Sequence, residues 1–381
     1  MTDRNDRPLI AGAGPAGLAA ALFLARHGIR ARIIDKERVR SPYSRALAVN
    51  PRTLDLLEPT GVTERMLALG RRIASGRVVA GDRLIFEPHF EQVSPRFPFL
   101  VALSQATTEQ LLAEALAEFD IDVERGVALT SCALDEHGAR VTLQADDDEE
   151  SWTVPWLLAA DGAHSTVRHE LALEFRGRTF EKEWNLLDVP LETSRTVDQA
   201  HIEFLTGGGF LFMLPVVTDD AVASDTHAPI WRMITNRATP LECLRADERA
   251  GMPIWKSSFH IAHRVIERMQ TGAVSFIGDA AHIHSPLGAR GMNLGIEDAW
   301  IFAQCVSHGV LSTFADRREP DIRRVVGKIE FLTRMARGET TVQRAARRLG
   351  PAVARFVPAV RRTALRTLTG LDITRLTPED F

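Results

Sequence analysis

The feature that most constrains the fold of this chain is a glycine run near its N-terminus, Gly12-Ala-Gly14-Pro-Ala-Gly17. A short apolar stretch, Pro8 to Ala11, precedes it, and an alanine- and leucine-rich segment that reads as a helix to about His27 follows. A second strand, Ala31 to Ile34, ends at Asp35. Strand, glycine turn, helix, strand and terminal acid in this order form a βαβ unit that can hold a dinucleotide. Gly12 permits the tight turn, Gly14 lets the backbone approach a pyrophosphate, and Gly17 lets the helix lie close to the strand. The pyrophosphate would sit at the helix start, around Ala16, where backbone N–H groups are free and the helix carries partial positive charge. Asp35, with Lys36 beside it, would take both hydroxyls of an adenosine ribose. A carboxylate there disfavours a 2′-phosphate, so this pocket should not hold NADP. The motif alone does not choose between flavin and nicotinamide dinucleotides.

Two further corners make a similar demand. Val274, Phe276 and Ile277 read as a strand, Gly278 turns the chain, and Asp279 stands at the tip. Pro286, Gly288 and Gly291 then exclude a helix until Met292, where Leu294, Ile296, Ala299, Trp300 and Phe302 restore helical spacing. Such a helix start can hold an anionic ligand edge while Asp279 accepts hydrogen bonds from ligand hydroxyls. Taken alone, it reads equally as a βα corner with a surface aspartate. The other corner is the apolar strand Trp156 to Ala160, followed by Asp161-Gly162-Ala-His-Ser165 and Arg168. Asp161 could equally cap the helix that begins near Ser165. Residues 41–59 form a loop and then a helix with Leu54 and Leu57, stopped at Pro59; Arg45 in that loop could pair with a pyrophosphate or stay solvated. Gln105 precedes a helix expected over Thr107 to Phe119, with Thr107 or Thr108 as N-cap.

A length of 381 residues allows about two domains. Between about 181 and 264, period-2 segments such as His201 to Leu205 and Phe210 to Leu214, with glycine turns, predict an antiparallel sheet with one face buried. Such a sheet beside a dinucleotide-binding unit would make a cleft. The acidic run Asp146 to Glu150 reads as a solvated hairpin tip. From Arg317 the chain reads as helical and arginine-rich, with Arg344, Arg347, Arg348, Arg355, Arg361, Arg362 and Arg366 and the apolar Leu365, Leu368 and Leu371. This tail is expected to pack on the body and show its charges to water rather than lie on a membrane. A net charge of −4 excludes a strongly basic nucleic-acid binder. Cys132, Cys243 and Cys305 are far apart with no CxxC, which argues against a disulfide framework or a zinc site and for a reducing, cytoplasmic setting. The apolar run 9–25 contains three glycines and follows Asp3 and Asp6, so a secretory leader is not expected.

The fingerprint, AADGAHSTVR from Ala159 and FIGDAAH…PLGARGMN from Phe276 occur in one order. Together they resemble the single-component FAD-dependent aromatic hydroxylases, the para-hydroxybenzoate hydroxylase-like family, over residues 8 to about 325. PLGARGMNLGIEDA looks most like the branch with phenolic, phenylpropionate and polyketide hydroxylases. The resemblance implies an α/β chain: a Rossmann-like FAD-binding domain with a parallel sheet (1–77 with 98–180 and 265–320), a smaller antiparallel-sheet substrate domain (78–97 with 181–264) and a helical C-terminal region (321–381). It implies non-covalent FAD, with Gly12, Gly14, Ala16, Gly17, Asp35 and Lys36 at the ADP half. Arg45 and Gln105 would lie near the pyrophosphate and ribityl chain, and Asp279 on a ribityl hydroxyl. Gly291, Met292 and Asn293 would meet the pyrimidine edge, and Asp161 lies in the motif linked to both FAD and NAD(P)H.

It further implies transient NAD(P)H, O2, and a flavin 4a-hydroperoxide near Pro286 and Gly288 that hydroxylates an electron-rich ring. The chain's only tyrosine, Tyr43, lies in the first loop, so a tyrosine relay is not expected. A histidine would serve as base, with His201, His260, His263 and His284 as candidates, each of which also reads as structural. No arginine can be assigned to a substrate carboxylate. The branch's thioredoxin-like C-terminal domain is not expected here, because the sequence ends soon after the helical tail. A monomer or homodimer without metal is expected. The alternatives are a flavin-dependent epoxidase or reductase of an apolar substrate, and a flavin-binding sensor or partner subunit without turnover.

Overall fold

The computed structural model describes residues 7–41, 46–81, 83–94, 96–206, 208–217, 228–337, 340, 357–373 and 376–381. Arg45 and Tyr43 fall outside the described residues, as do Arg344, Arg347, Arg348 and Arg355.

Strand β1 (Leu9–Ala11) is wholly buried and runs parallel to β2 (Arg32–Asp35) on one side and β12 (Leu157–Ala159) on the other. β8 (Glu124–Arg125) extends the sheet beyond β2; β20 (Val274–Phe276) and then β19 (Gln270–Thr271) extend it beyond β12, only the last pair antiparallel. All three corners found in the sequence therefore leave the same edge of one parallel sheet, at the ends of β1, β12 and β20. Helix α1 (Pro15–Arg26) is buried over Gly17 to Ala25. Its alanine-rich surface is apolar all round because it packs against both α4 (Gln105–Ala117) and α6 (Gly291–Ser307).

A second, nine-stranded sheet has the order β21 (His282–Ile283), β18 (Trp255–Ile266), β13 (Phe175–Glu192), β16 (Ile230–Thr235), β15 (Phe210–Val216), β14 (Gln199–Phe204), β5 (Ser75–Ala80), β6 (Arg83–Phe86), with β17 (Arg249–Ala250) pairing off the path on β13. It is antiparallel except for β5 against β14, which is parallel. Its central strands depart from the expectation of one buried face: β15 and β16 are buried on both. Leu186, Phe212 and Ile234 pack on the near side, while Leu211, Met213, Trp231 and Met233 pack on the far side under Val197, Leu205, Cys243 and Leu244.

Two three-stranded sheets complete the strands: β9 (Val127–Asp135), β10 (Gly138–Ala145) and β11 (Asp148–Val154), and β3 (Ala48–Val49), β7 (Leu100–Ala102) and β4 (Arg71–Ile73). The acidic run is only partly a hairpin tip. Asp146 and Asp147 form the turn, whereas Asp148 to Glu150 are in strand and Glu150 pairs with the buried Arg32. The remaining helices are α2 (Pro51–Leu57), α3 (Val62–Leu69), α5 (Thr166–Glu170), α7 (Phe314–Arg337) and α8 (Pro358–Thr369). α4 begins at Gln105, two residues earlier than expected, because the Ser104 hydroxyl accepts the Thr107 N–H at 3.0 Å and is the N-cap. In the tail, Leu365 is buried while Arg362 and Arg366 are exposed. Among the described residues no helix is long and apolar enough to cross a membrane.

A buried ionic cluster ties these parts together. Asp298 on α6 accepts from the Gly278 N–H at 3.0 Å and Arg318 Nε at 2.5 Å, and its Oδ2 pairs with His282 Nε2 at 2.6 Å. Next to it, Glu297 accepts from Arg52 Nε at 2.9 Å and Arg318 Nη2 at 3.2 Å. Burial pushes the Asp298 carboxyl up, but His282 and Arg318 outweigh it and hold it at about 2. Removing one member of a buried charge set leaves its partners unpaired, at a cost of about 3–5 kcal/mol. Arg318→Met is therefore expected to lower the unfolding free energy by that order, read from urea denaturation followed by circular dichroism; a change within error would show that the cluster is not a structural anchor.

Candidate active site

The ends of β1, β12 and β20 and the near face of the large sheet enclose a cavity of about 410 Å³. Its polar side brings together Gly14, Ala16, Gln105, Asp279, Pro286 and Gly291 to Asn293; its apolar wall carries Leu186, Phe212, Leu214 and Ile234.

The fingerprint glycines differ in what constrains them. Gly12 has φ +102°, and a Cβ there would lie 2.3 Å from the Ala160 carbonyl oxygen. At Gly17 a Cβ would lie 2.0 Å from the Gly12 oxygen. Both are fixed by the turn itself. Gly14 is extended, faces the cavity and has no protein atom within 4 Å of a built Cβ. The space that a side chain would take is thus on the ligand side, as a close-approaching pyrophosphate requires. Gly14 is also the N-cap of α1, with no side-chain cap bond and no acid in the first turn. α6 starts the same way: Arg290 is its N-cap, no side chain caps it, and no acid is in its first turn. Two helix N-termini with uncapped N–H groups therefore open on one cavity, a setting that favours electron-rich or anionic ligand groups.

Tight packing fixes this geometry. The Ala16 methyl fits against Gly278 and Gly295, where a Cβ on either glycine would come within 3.0 or 3.1 Å of it. Arg168 donates from Nη1 to the Ala280 oxygen at 2.9 Å and from Nη2 to the Ala163 oxygen at 2.7 Å, joining the second and third corners. Asp279 is exposed at the cavity wall. Between it and α6 the chain makes β21, an excursion that glycine and proline spacing did not reveal. The Asn293 side chain is structural: it donates to the Ala48 and Ala289 oxygens and accepts from the Asn50 N–H, leaving its backbone to face the cavity.

Asp35, Lys36, Asp161, Gly288 and His201 are not among the residues that line the cavity. Asp35 accepts from the Ala13 N–H at 2.7 Å and the Glu37 N–H at 2.8 Å, so it also fixes the glycine turn; Lys36 is exposed beyond it. Asp161 sits behind Ala160 and Gly162. Ser165 is the N-cap of α5, and Asp161 adds a bond from the Val167 N–H at 3.3 Å. Burial pushes its carboxyl pKa up against Ser165 and these N–H groups, and among the described residues its Oδ1 has no partner. Gly288 is beside the lining, with Leu368 3.8 Å from a built Cβ. His201 is on the wrong face: it pairs in register with Met213 on the far side, stacks edge-on with Trp231, and its Nε2 meets the Thr196 oxygen at 3.1 Å. Period-2 alternation identified two faces there but not which one meets the cavity.

Of the remaining histidines, His260 and His284 line the cavity and His263 does not. His284 Nδ1 meets the Ser285 carbonyl oxygen at 2.8 Å, which places the proton on Nδ1 and makes Nε2 an acceptor. Burial lowers its pKa to about 3 against that carbonyl, so the ring is neutral. An arginine that the sequence gave no reason to single out also faces the cavity. Arg232 stands directly opposite Asp188 and donates to both its carboxylate oxygens, at 2.8 and 2.7 Å, with its guanidinium over Trp255.

Two outcomes follow. Gly14→Val should keep the fold within about 0.5 kcal/mol of wild type yet abolish dinucleotide binding, whereas Gly17→Ala should lower the melting temperature; melts and flavin absorbance separate the two, and a Gly14→Val protein that binds normally would refute the close approach. His263 has both ring nitrogens without a partner among the described residues, and burial lowers it from 6.5 to about 4. Its folded pKa lies below its unfolded value, so its contribution is intact above pH 6.5 and is lost as pH falls toward about 4. In melts across that range His263→Leu should lose stability less steeply than wild type; parallel slopes would contradict this.

The family profile described as "FAD binding domain" matches residues 7–327. The chain is 33% identical to 6-methylpretetramide 4-monooxygenase of Streptomyces rimosus over 98% of this chain and 70% of that protein. It is 31% identical to rifampicin monooxygenase of Streptomyces venezuelae over 82% of this chain and 68% of that protein. Among solved structures, p-nitrophenol 4-monooxygenase PnpA of Pseudomonas putida superposes with TM-score 0.80 at 20% identity, over 97% of this chain and 99% of that one. CabE, an aromatic hydroxylase from angucycline biosynthesis, superposes with TM-score 0.78 at 22% identity, over 98% and 77%. A glycine cradle open to a dinucleotide, two uncapped helix starts around one cavity, and a match over most of its length place the chain in the FAD-binding family of flavoprotein monooxygenases.

Proposed function

We propose that this protein uses NAD(P)H and O2 to hydroxylate an aromatic or polyketide-like small molecule on FAD. The observation that supports it most is the meeting of two uncapped helix N-termini and Asp279 on one side of a cavity whose other side is an apolar sheet face. Bound FAD would supply the relay of electrons from NAD(P)H to O2 and the activation of oxygen. The parallel-sheet side (1–77, 98–180, 265–320) would hold the flavin, and the sheet side (78–97, 181–264) the substrate.

In this reading the α1 start and Gly14 bind the pyrophosphate, Asp35 the ribose and Asp279 a ribityl hydroxyl. The backbone of Gly291, Met292 and Asn293 meets the pyrimidine edge, where the α6 start stabilises negative charge. Pro286, beside Gly288, keeps bulky and polar side chains away from the reacting face. Leu186, Phe212 and Ile234 exclude water and seat an aromatic ring, which limits wasteful release of reduced oxygen. Arg232, oriented by Asp188, offers positive charge to a ring oxygen. His284 Nε2, neutral and an acceptor, can accept a hydrogen bond from a phenolic hydroxyl and so orient the ring, while its lowered pKa leaves the proton on the substrate. Relatives named for monooxygenation of 6-methylpretetramide and rifampicin support the reaction class.

The test is a screen of phenols and polyketide-like aromatics for faster NAD(P)H oxidation by the FAD-loaded protein, with mass analysis for one added oxygen. No substrate that accelerates oxidation would favour a flavin-binding protein without turnover. Asp279→Ala should weaken FAD binding about 10- to 100-fold, the range for losing a hydrogen bond to a charged group. Unchanged flavin content after gel filtration would remove Asp279 from the site.

A further inference from the structure

Behind the loop that precedes α6 lies a brace contributed by the chain beyond residue 327, where the family profile match ends. Arg290, the N-cap of α6, is 1% exposed and lines the cavity. Its Nη1 donates to the Thr367 carbonyl at 2.8 Å and to Asp372 Oδ1 at 2.9 Å. Asp372 is also held by Lys328 Nζ at 2.9 Å and by the Thr367 hydroxyl at 3.2 Å. Around this contact α8 seals the loop. Leu368 lies against Gly288, and Gly370, with φ +80°, packs on the side chain of Asn50, the residue whose backbone N–H donates to Asn293 Oδ1. Burial pushes the Asp372 carboxyl up, but Arg290 and Lys328 outweigh it and hold it below the usual range, so the pair is ionic.

Arg290 therefore immediately precedes the backbone that would meet the pyrimidine edge of FAD; its side chain lines the cavity and its guanidinium is paired with Asp372. We propose that Asp372 is a positioning residue that orients Arg290 and partly neutralises it, and so sets the reduction potential of the bound flavin. This rests on the placement of that flavin edge at Gly291 to Asn293. Reduction of bound FAD by a hydride from NAD(P)H would leave NAD(P)+ and give the flavin one negative charge. Net positive charge beside the ring favours that product, and a carboxylate paired to the cation opposes it. Lys328 competes with Arg290 for the same carboxylate, so its removal strengthens the masking of Arg290.

The test is the midpoint potential of the FAD-loaded protein, measured by equilibration with a reference dye. Asp372→Asn should move it to more positive values and Asp372→Glu should restore it. Lys328→Met, at a side chain 34% exposed, should move it to more negative values. A purely structural brace would change FAD content without shifts of opposite sign. Wild-type midpoints in both Asp372→Asn and Lys328→Met would overturn the proposal while leaving the flavin site intact. If Asp372→Asn does not retain FAD, the sign of the Lys328→Met shift decides. A wild-type protein that cannot be loaded with FAD would overturn the functional reading and this proposal together.

Discussion

The single carboxylate of Asp298 is the point on which the cavity is hung. It joins the Gly278 N–H, His282 and Arg318, so one buried side chain fixes the third corner, the short strand after it and the long helix α7 relative to α6. Two carboxylates side by side at Glu297 and Asp298 would repel in a low-dielectric interior. Arg318 bridges both, and Arg52 completes the balance from α2. Gly278 is held at φ +57° by this arrangement, which points Asp279 outward to the cavity and lets Ala16 approach from below. The position of the acidic tip is thus set by charges that never touch a ligand.

The polar side of the cavity is made mostly of backbone. The α1 start is kept bare because Gly14 has no side chain, and the α6 start because its N-cap, Arg290, carries only donors, which turn back to Thr367 and Asp372. Helix N–H groups fixed in this way need no rearrangement to receive charge, which is the condition under which such groups act most strongly. The apolar wall has a different origin. A sheet buried on both faces can give one of them to a cavity without exposing its core to water, since the far face is covered by its own loops.

Those features explain what could be read in the sequence. The fingerprint, the Asp-Gly corner and the Gly-Asp tip were legible because each rests on local backbone rules, and local rules leave residue types at fixed spacing. Asp298, Arg318 and Arg52 were not, because their meaning lies in contacts between different helices, 20 or more residues apart. β21 was missed because two residues pairing with β18 leave no periodic trace. His201 shows the limit of alternation: the pattern His201 to Leu205 marks a strand, yet the choice of face depends on the register with Met213. Ser104 and Ser165, rather than threonine or aspartate neighbours, became helix caps because their hydroxyls alone reach the N–H three residues on.

The strand order carries a consequence for how the molecule is made. The central parallel sheet places β20, from residues 274–276, beside β12, from residues 157–159, and the large sheet joins β5 at residues 75–80 to β14 at residues 199–204. A nascent chain leaving the ribosome cannot close either layer until most of it has emerged, and its early strands wait with unpaired edges. Pairings this remote in sequence slow the search for the final topology. Assembly of the layers is therefore a late, concerted event, and the stretch between synthesis of β1 and arrival of Phe276 is when chaperone shelter matters most for this protein.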